Sequence, residues 1–356
     1  MRAKAQRITM RRNSTRGFAY AAAAGVCALS MALTLGAARA QQQTYLMKIS
    51  APTLHAGPDI YADNYAAAIE KASGGRIKAQ VFPASQLGAI PRQIEGTQFG
   101  SIQMEVAPPE FFVGLDKRFE IMAAPGLVSS EPQGERVAAD PAVRKLVLGL
   151  GADKGLRGIG LFMVEPSEVI FKTPVRHLAD FKGKKIRIFA SDFQSRAFER
   201  LGVTPVAMTL GDVLPAIQQG AIDGAVAGMQ VFAGMHYIDA AKYVTMTGQP
   251  TIFVIAEVNR KWYESLPPDL QQIVDSVGAS ESAKIEPQVE KITAQAKKNW
   301  VASGGELIEL PAAEQAQMLQ TMGSVGEDVS KSNPQLHAAY ELVTAAAARL
   351  KLASSH

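Results

Sequence analysis

The stretch GKKIRIFASDFQSRAFERLGVTPVAMTLGDVLPAIQQGAIDG, residues 183–224, decides the fold class. It begins with GKKIRIFAS (183–191), in which apolar side chains recur at every second position, as in a strand. A helical pattern that ends at Gly202 follows, then the strand-like TPVAMTL (204–210) and a second helical pattern that ends at Gly220. Strands that alternate with helices in this way predict a largely parallel sheet covered by helices.

The same alternation precedes this stretch. Thr44–Pro52 and Arg76–Phe82 have strand patterns, and a helix that opens at Pro58 separates them. A short helix over Pro91–Phe99 and a strand over Ser101–Ala107 continue the series. Two such series predict two α/β lobes, each with its own core.

The order of these patterns gives the lobe boundaries. We predict a first part of lobe I over residues 41–165, lobe II over 166–249, and a return to lobe I over 250–356. The returning segment begins with the strand-like PTIFVIAEV and contains a long charged helical region up to Trp300, broken at most near Gly278, and further helices. A chain that crosses between lobes more than once makes a hinged pair with a cleft between the lobes.

The overall charge is misleading. The chain has 356 residues, 37 of them basic and 33 acidic, which suggests a basic protein. The first 40 residues hold seven basic residues and no acidic one, so the remaining 30 basic and 33 acidic residues leave a formal net charge of about −3. A nucleic-acid partner is therefore not expected.

Residues 1–40 have the features of a secretory signal. A basic start, the apolar run FAYAAAAGVCALSMALTLGA and the sequence Ala38-Arg39-Ala40 predict cleavage after Ala40. The run is long enough for a transmembrane anchor, but its small residues and the cleavage site favour a signal peptide. Arg11-Arg12 suggests a twin-arginine export signal. The other residues of such a signal do not follow closely, so the general secretory route is favoured. The single cysteine, Cys27, lies in the run, and the mature chain must be stabilised without disulfides.

Catalytic motifs are scarce. GLGADKG (149–155) is similar to a dinucleotide loop but has Lys154 at the last glycine position and follows a helical pattern. There is no G-x-S-x-G sequence, and the five histidines are isolated, so neither a hydrolase nor a metal site is predicted. Glu165 and Glu168 could do acid–base work, although acids three apart in an apolar segment more often lie at a solvated edge. We expect no cofactor, and an enzyme is the minority interpretation.

Four stretches resemble the extracytoplasmic solute-binding proteins of tripartite ATP-independent periplasmic (TRAP) transporters, the DctP family. The run from Lys182 through Gly224 is the most specific, with its G-K-K-I-R strand, L-G-x-x-P and Q-G-A-I-D-G. The four stretches are FPASQLGAIPRQIEGTQFGSIQM (82–104), LADFKGKKIRI (178–188), LGVTPVAMTLGDVLPAIQQGAIDGAVAG (201–228) and NRKWYESLPPDLQQIV (259–274). The resemblance implies a two-lobed α/β periplasmic binding protein fold with a hinge and a long helix that ties the lobes. It also implies a periplasmic location, one organic anion bound between the lobes, and docking of the closed form onto a permease with small and large membrane subunits.

Arg187 is the main site residue that the resemblance implies. In this family the arginine of the G-x-K-I-R strand pairs with the substrate carboxylate. The chemistry agrees, because a planar guanidinium offers two parallel donors to a carboxylate and Phe189 can line the same face. The alternative is an arginine at a strand end that is solvated or paired with Asp180 or Asp192.

Other positions depart from the sialic-acid and dicarboxylate members of the family. Ala190 and Ala227 stand where those members carry polar residues, and a second family arginine is replaced near Ser167. The pocket should therefore be less polar, with Gln230 as a remaining polar contact, whereas Asp223-Gly224 shapes a turn. For Ala190 and Leu210, core packing is an alternative. The complete set of predicted ligand contacts is Arg187, Ser167, Phe189, Ala190, Met208, Leu210, Ala227, Gln230, Pro108 and Phe111.

These positions predict the ligand's chemistry. One arginine neutralises one carboxylate, so we expect an aromatic or branched aliphatic monocarboxylate instead of a sugar acid or a small dicarboxylate. Two other functions stay open: a sensor component of the same fold, and a periplasmic enzyme that uses Glu165 or Glu168. Permease genes beside this one would distinguish transport from sensing, and turnover of candidate acids would indicate an enzyme.

Overall fold

The computed structural model describes residues 43–352, and the elements below belong to one compact unit that begins at Tyr45. The predicted signal peptide and its cleavage after Ala40 lie outside the described residues. Within residues 43–352, no helix is both long enough and apolar enough to cross a membrane.

The strands of the described chain form two sheets. The strands are β1 (Tyr45–Ser50), β2 (Ile77–Phe82), β3 (Met104–Ala107), β4 (Leu156–Pro166), β5 (Glu168–Phe171), β6 (Lys185–Ile188), β7 (Thr204–Ala207), β8 (Gly224–Ala227), β9 (Tyr243–Thr245), β10 (Thr251–Asn259) and β11 (Glu306–Ile308). The first sheet has the order β2-β1-β3-β10-β4 and the second β11-β9-β5-β8-β6-β7. The predicted two-lobed α/β fold is confirmed.

Helices cover both sheets. They are α1 (Gly57–Ala72), α2 (Ile90–Phe99), α3 (Glu131–Ala139), α4 (Pro141–Val147), α5 (Asp192–Arg200), α6 (Leu210–Gln219), α7 (Met229–Gly234), α8 (Arg260–Ser265), α9 (Pro268–Lys284), α10 (Glu286–Ala302), α11 (Ala312–Gly323), α12 (Val325–Ser330) and α13 (Pro334–Leu352). Short-range signals place most of them: Gly220, at a left-handed φ of 73°, ends α6, and Tyr61, Tyr65 and Ile69 of α1 are fully buried at helical spacing.

The expectation of largely parallel sheets is confirmed: among the described residues, four of the five strands of the first sheet and five of the six strands of the second point the same way. β1 runs parallel to β2 and β3, but β10 is antiparallel to both β3 and β4. In the second sheet β6 is parallel to β7 and β8, whereas β5 is antiparallel to β8 and β9. The antiparallel strands are those that carry the chain between the sheets, so each lobe is a mixed sheet.

Two neighbouring strand connections form the hinge. β4 of the first sheet leads to β5 of the second through Ser167, and residues 246–250 connect β9 to β10 in the opposite direction. Ser167 ties the connections together, because its N–H and its hydroxyl donate to the carbonyl of Pro250 at 2.9 and 2.6 Å. The hydroxyl of Thr247 donates to the carbonyl of Ser167 at 3.0 Å.

The long helical region breaks at a different residue from the one expected. α9 continues through Gly278 and ends at Lys284, and α10 starts at Glu286 with Pro287 in its first turn. Gly278 serves packing, because a Cβ at this position would lie 2.6 Å from the carbonyl oxygen of Ile159 in β4. The glycine lets α9 approach the sheet, and Ile285 and Pro287 mark the break.

The C-terminal segment does not belong to lobe I alone. Glu306–Ile308 pairs in parallel with Tyr243–Thr245 at the edge of the second sheet, and α11 and α12 pack against α5. α13 then packs on α3 and α4 of the first lobe. After residue 250, β10 and α13 therefore belong with the first sheet, whereas β11, α11 and α12 belong with the second.

Candidate functional site

A small cavity lies where the two sheets face each other across the hinge. Its volume is about 40 Å³, well below the roughly 300–1,000 Å³ of a typical ligand pocket, so the lobes leave little space between them in this conformation. The cavity is lined by Pro52, Thr53, Ala56, Pro58, Ile90, Pro108, Phe111, Val164, Glu165, Arg187, Phe189, Leu210, Ala227, Gly228, Val231 and Ile252. Thr53, Glu165 and Arg187 are the polar side chains among these sixteen residues, so the walls are largely apolar.

Arg187 projects from β6 and is only 1% exposed. Its Nε donates to the carbonyl of Met208 at 3.0 Å and its Nη1 to the carbonyl of Val226 at 2.8 Å. Burial lowers the pKa of the guanidinium to about 10, so it stays charged at neutral pH. Among the described residues no carboxylate lies within ion-pair distance of Arg187, and a buried cation therefore lines the cavity without an anionic partner.

The alternative of a solvated or locally paired Arg187 does not fit this geometry. Asp180 accepts the backbone N–H groups of Arg176 and His177, and Asp192 pairs with Lys117 at 2.6 Å. Both candidate partners are therefore engaged elsewhere. The guanidinium instead lies over the ring of Phe189, with its central carbon 4.8 Å from the ring centroid.

Two aromatic rings meet across the cleft. Phe111 comes from a 3-10 turn after β3 of the first sheet, and Phe189 follows β6 of the second. Their ring centroids lie 5.4 Å apart. Both rings line the cavity, so each lobe supplies one half of an apolar wall.

The structure brings six of the ten predicted contacts to the cavity. They are Arg187, Phe189, Leu210, Ala227, Pro108 and Phe111. Ser167, Ala190, Met208 and Gln230 do not line it. Ser167 belongs to the hinge, and Met208 contributes the backbone carbonyl that holds Arg187. Ala190 follows the end of β6, where the alternation of the strand no longer determines to which face a side chain points.

Gln230 joins the lobes instead of lining the cavity. Its Oε1 accepts the N–H of Gly57 at the start of α1 in lobe I, at 2.8 Å. Its Nε2 donates to the carbonyl of Val289 at 3.1 Å and to the hydroxyl of Thr293 at 2.7 Å, both on α10. Because its amide oxygen and both of its N–H donors are bonded, Gln230 acts as an inter-lobe clasp in this conformation.

Glu165 lines the cavity, whereas the sequence indicated it only as a possible acid–base group and not as a ligand contact. It is 2% exposed at the end of β4, so a solvated edge is wrong. Its carboxylate accepts the N–H groups of Met229 and Gln230, each at 3.1 Å, and the hydroxyl of Thr293 at 3.3 Å. Burial raises its pKa to about 7, which these hydrogen bonds oppose. Its place just before the crossing at Ser167 is the signal that could have found it.

Glu168 is equally buried but belongs to the hinge. It is 4% exposed and accepts the N–H of Gly248 at 2.9 Å. Burial raises its pKa to about 8. Because Glu168 does not line the cavity, the two acids of this segment have different surroundings and do not form a catalytic pair facing one pocket.

A second set of contacts also joins the two lobes. The carboxylate of Glu120 in lobe I accepts the N–H of Asp192 at 2.6 Å and the hydroxyl of Ser191 at 3.3 Å in lobe II. The Nζ of Lys117 lies 2.6 Å from the carboxylate of Asp192. These bonds and the Gln230 clasp together join the two lobes.

The chemistry of the site is that of binding. A fixed cation, an apolar wall and a single carboxyl group can enclose an anion and exclude water from it. Within residues 43–352, no group of three or more His, Cys, Asp or Glu residues is arranged to hold a metal ion.

Comparison with known proteins agrees with this geometry. The profile of bacterial extracellular solute-binding protein family 7 (DctP) matches residues 59–332. The C4-dicarboxylate-binding periplasmic protein DctP of Rhodobacter capsulatus is 24% identical, over 86% of this chain and 92% of its own length.

Solved structures share the fold. A TRAP periplasmic solute-binding protein from Desulfovibrio salexigens with bound orotic acid is 22% identical, has a TM-score of 0.81 and matches 86% of this chain and 100% of its own. The sugar acid binding protein of Advenella mimigardefordensis in complex with galactonate is 18% identical, has a TM-score of 0.81 and matches 86% of this chain and 99% of its own.

Proposed function

The chain belongs to the DctP family of bacterial extracellular solute-binding proteins, and we propose that it captures one organic acid between its lobes for a TRAP-type transporter. The acid's carboxylate binds Arg187, and its body lies against the apolar walls of the cavity. The periplasm, where this family acts, is the proposed location.

The observation that supports this proposal is that Arg187 is buried and charged and has no carboxylate partner among the described residues. A buried charge without a partner is unfavourable, and evolution tolerates one where a ligand supplies the counter-charge. Arg187 lines the cavity, and its two hydrogen bonds to described residues leave further N–H donors on the guanidinium. A carboxylate is the group that matches this planar set of donors.

The lining favours an acid with an apolar body. Thirteen of the sixteen lining residues have no polar side chain, and the hydroxyl of Thr53 already donates to Asp59 at 2.7 Å. Each hydroxyl of a sugar acid needs a hydrogen-bond partner, and a second carboxylate needs a second cation. We therefore propose a monocarboxylate with an aromatic or branched aliphatic body.

The ligands of the relatives do not identify the ligand of this chain. The similar proteins bind a C4-dicarboxylate, orotic acid or galactonate, which share a carboxylate and differ in the rest of the molecule. The carboxylate is the common feature that supports Arg187 as the anchor. The selection within the acids is argued from the cavity of this chain alone.

A panel of acids at equal concentration tests the proposal. Aromatic acids, branched 2-oxo acids, C4 dicarboxylates and uronic acids are compared by thermal shift, because a ligand that binds only the native state raises the melting temperature. We expect the aromatic or branched acids to give the largest shift. A larger shift with a dicarboxylate or a uronic acid would contradict the ligand class, and no shift with any carboxylate would contradict the function.

Delivery to a permease is the second half of the proposal. The clasp at Gln230 and the contacts of Glu120 define a closed form whose joined surface differs from that of separated lobes. Small-angle scattering should show a smaller radius of gyration when the acid is added to the open protein. Uptake of the labelled acid into membrane vesicles that contain the small and large permease subunits should require added protein, and uptake without it would contradict the partnership.

A further inference from the structure

We propose that Glu165 binds the end of the ligand that lies opposite its carboxylate. It selects acids that carry a hydrogen-bond donor, a hydroxyl or an ammonium group, at that end. This inference rests on the proposed function, because it presumes that Arg187 holds the carboxylate. It narrows the ligand class from apolar acids to acids with an apolar middle and a polar end.

Two buried groups of opposite charge type line the same cavity without pairing with each other. Arg187 comes from β6 of the second sheet and Glu165 from the end of β4 of the first. Their charged atoms do not form an ion pair within 4.0 Å in the described chain. A ligand that lies between them therefore meets a cation at one end and a carboxyl oxygen at the other.

Glu165, which lines the cavity, has acceptor capacity left. A carboxylate has about four acceptor sites. The described contacts use three of them: Oε1 accepts the N–H of Gln230, and Oε2 accepts the N–H of Met229 and the hydroxyl of Thr293. One acceptor site on Oε1 stays free for a donor from the ligand.

Gly228 lies directly against that oxygen. It lines the cavity beside Glu165, and a Cβ at this position would overlap Oε1 of Glu165. Its φ of −88° is one that any residue adopts, so the backbone conformation does not require glycine here. The missing side chain at residue 228 is what lets the carboxyl group of Glu165 take its position at the cavity.

Other ligand ends fit Glu165 less well. A methyl end leaves the free acceptor site of a buried carboxyl group without a partner, and a second carboxylate adds a like charge in a closed cavity. A hydroxyl or an ammonium group donates to Oε1, and the ammonium group also neutralises the carboxylate. A carboxylic acid with a donor at its far end therefore satisfies both buried groups.

Matched sets of acids test the inference on the wild-type protein. The sets are butanoate, 4-hydroxybutanoate and 4-aminobutanoate; hexanoate, 6-hydroxyhexanoate and 6-aminohexanoate; and phenylacetate with 4-hydroxyphenylacetate. Within at least one set, calorimetry should give a donor acid at least about tenfold tighter than its methyl-terminated or unsubstituted counterpart, the factor for about 1.4 kcal/mol. Preference for the hydroxyl acid or for the amino acid then identifies the donor.

Glu165→Gln and Glu168→Gln form a matched pair of variants. Glu165→Gln should lose the preference for the ammonium group and keep part of that for the hydroxyl, because an amide oxygen still accepts a hydrogen bond. Glu168→Gln, in the hinge, should keep the wild-type preference.

The outcomes separate this inference from the proposed function. If acids bind but the donor and methyl ends bind equally in every set, the role of Glu165 is overturned and the carboxylate site stands. The same conclusion follows if Glu168→Gln changes the preference as much as Glu165→Gln does. If no acid of the sets or of the class panel binds, the proposed function is overturned as well. The wild-type comparison decides the question even if Glu165→Gln does not fold.

Discussion

The cleft at Arg187 and the sheet core at Glu257 hold equally buried ionisable side chains in different surroundings. Arg187 donates to two backbone carbonyls and lines a cavity. Glu257, on β10, lies directly opposite Glu105 of β3, and neither of its carboxyl oxygens has a hydrogen-bond partner among the described residues. It does not line the cleft cavity.

Arg187 and Glu257 respond to burial in opposite ways. Burial lowers the pKa of Arg187 only to about 10, so the group stays charged and needs an anion. Burial raises the pKa of Glu257 well above its usual range, so the group takes up a proton and needs no counter-ion. A buried ionisable residue therefore indicates a ligand only where its charged form is retained and a cavity adjoins it.

Replacing Arg187 should give the largest effect on binding. Arg187→Lys keeps the charge but not the planar pair of donors, so the affinity for the best acid of the panel should fall about thirtyfold or more, from a cost of about 2 to 5 kcal/mol. Isothermal calorimetry measures the change. Arg144→Lys, at a half-buried arginine outside the cleft, is the control, and near-normal affinity of Arg187→Lys would place Arg187 with the structural residues.

Glu257 should instead determine a pH dependence of stability. Its pKa is raised in the folded state, so its contribution is fully present below the unfolded pKa of about 4.3 and is lost as the pH rises toward the folded value. Glu257→Gln should therefore flatten the fall in the free energy of unfolding as the pH rises above about 4.3, by up to about 1.4 kcal/mol per pH unit.

Urea unfolding across that pH range measures the slope for Glu257→Gln. Glu95→Gln, at an exposed glutamate on α2, is the control and should leave the slope unchanged. An unchanged slope in Glu257→Gln would mean that the carboxyl group reaches solvent or a donor at neutral pH. The contrast with Arg187 would then lose its basis.

Gln230 tests whether polar groups outside the cavity act through lobe closure. Gln230→Ala removes the bond to Gly57 that holds the closed form, which is worth about 1 kcal/mol, so affinity should fall about fivefold. Gln133→Ala is the control, because Gln133 is equally buried but its described side-chain bonds stay within the first lobe, to Ser129 and Ala347. Equal losses of affinity in both variants would contradict the clasp.

The exposed pair across the cleft should have the smallest effect. Lys117→Ala removes a solvent-exposed ion pair with Asp192, worth about 0.2 to 1 kcal/mol, so affinity should change less than about fivefold and less still at high salt. Lys331→Ala, which breaks a surface pair with Glu327 at the C-terminal end of α12, is the control. A loss as large as that of Arg187→Lys would show that closure, and not the anchor, limits binding.

Sequence patterns predicted much of the site but not all of it. The two α/β lobes, α1 and Arg187 with Phe189 follow from local periodicity and from the resemblance to the family. Ser167 was expected at the ligand and lies in the hinge, whereas Glu165, only two residues earlier, lines the cavity. Which residue faces the cleft depends on where the chain passes from one sheet to the other.

The sequence by itself determined the fold class, the family and the buried arginine, because each depends on side chains close together in the chain. Only the tertiary structure decided that Gln230 bonds to Gly57, that β11 joins the second sheet, and that Glu165 shares a cavity with Arg187. These relations join residues tens to more than a hundred positions apart. Strand register and helix packing set them, and neither leaves a periodic signal in the chain.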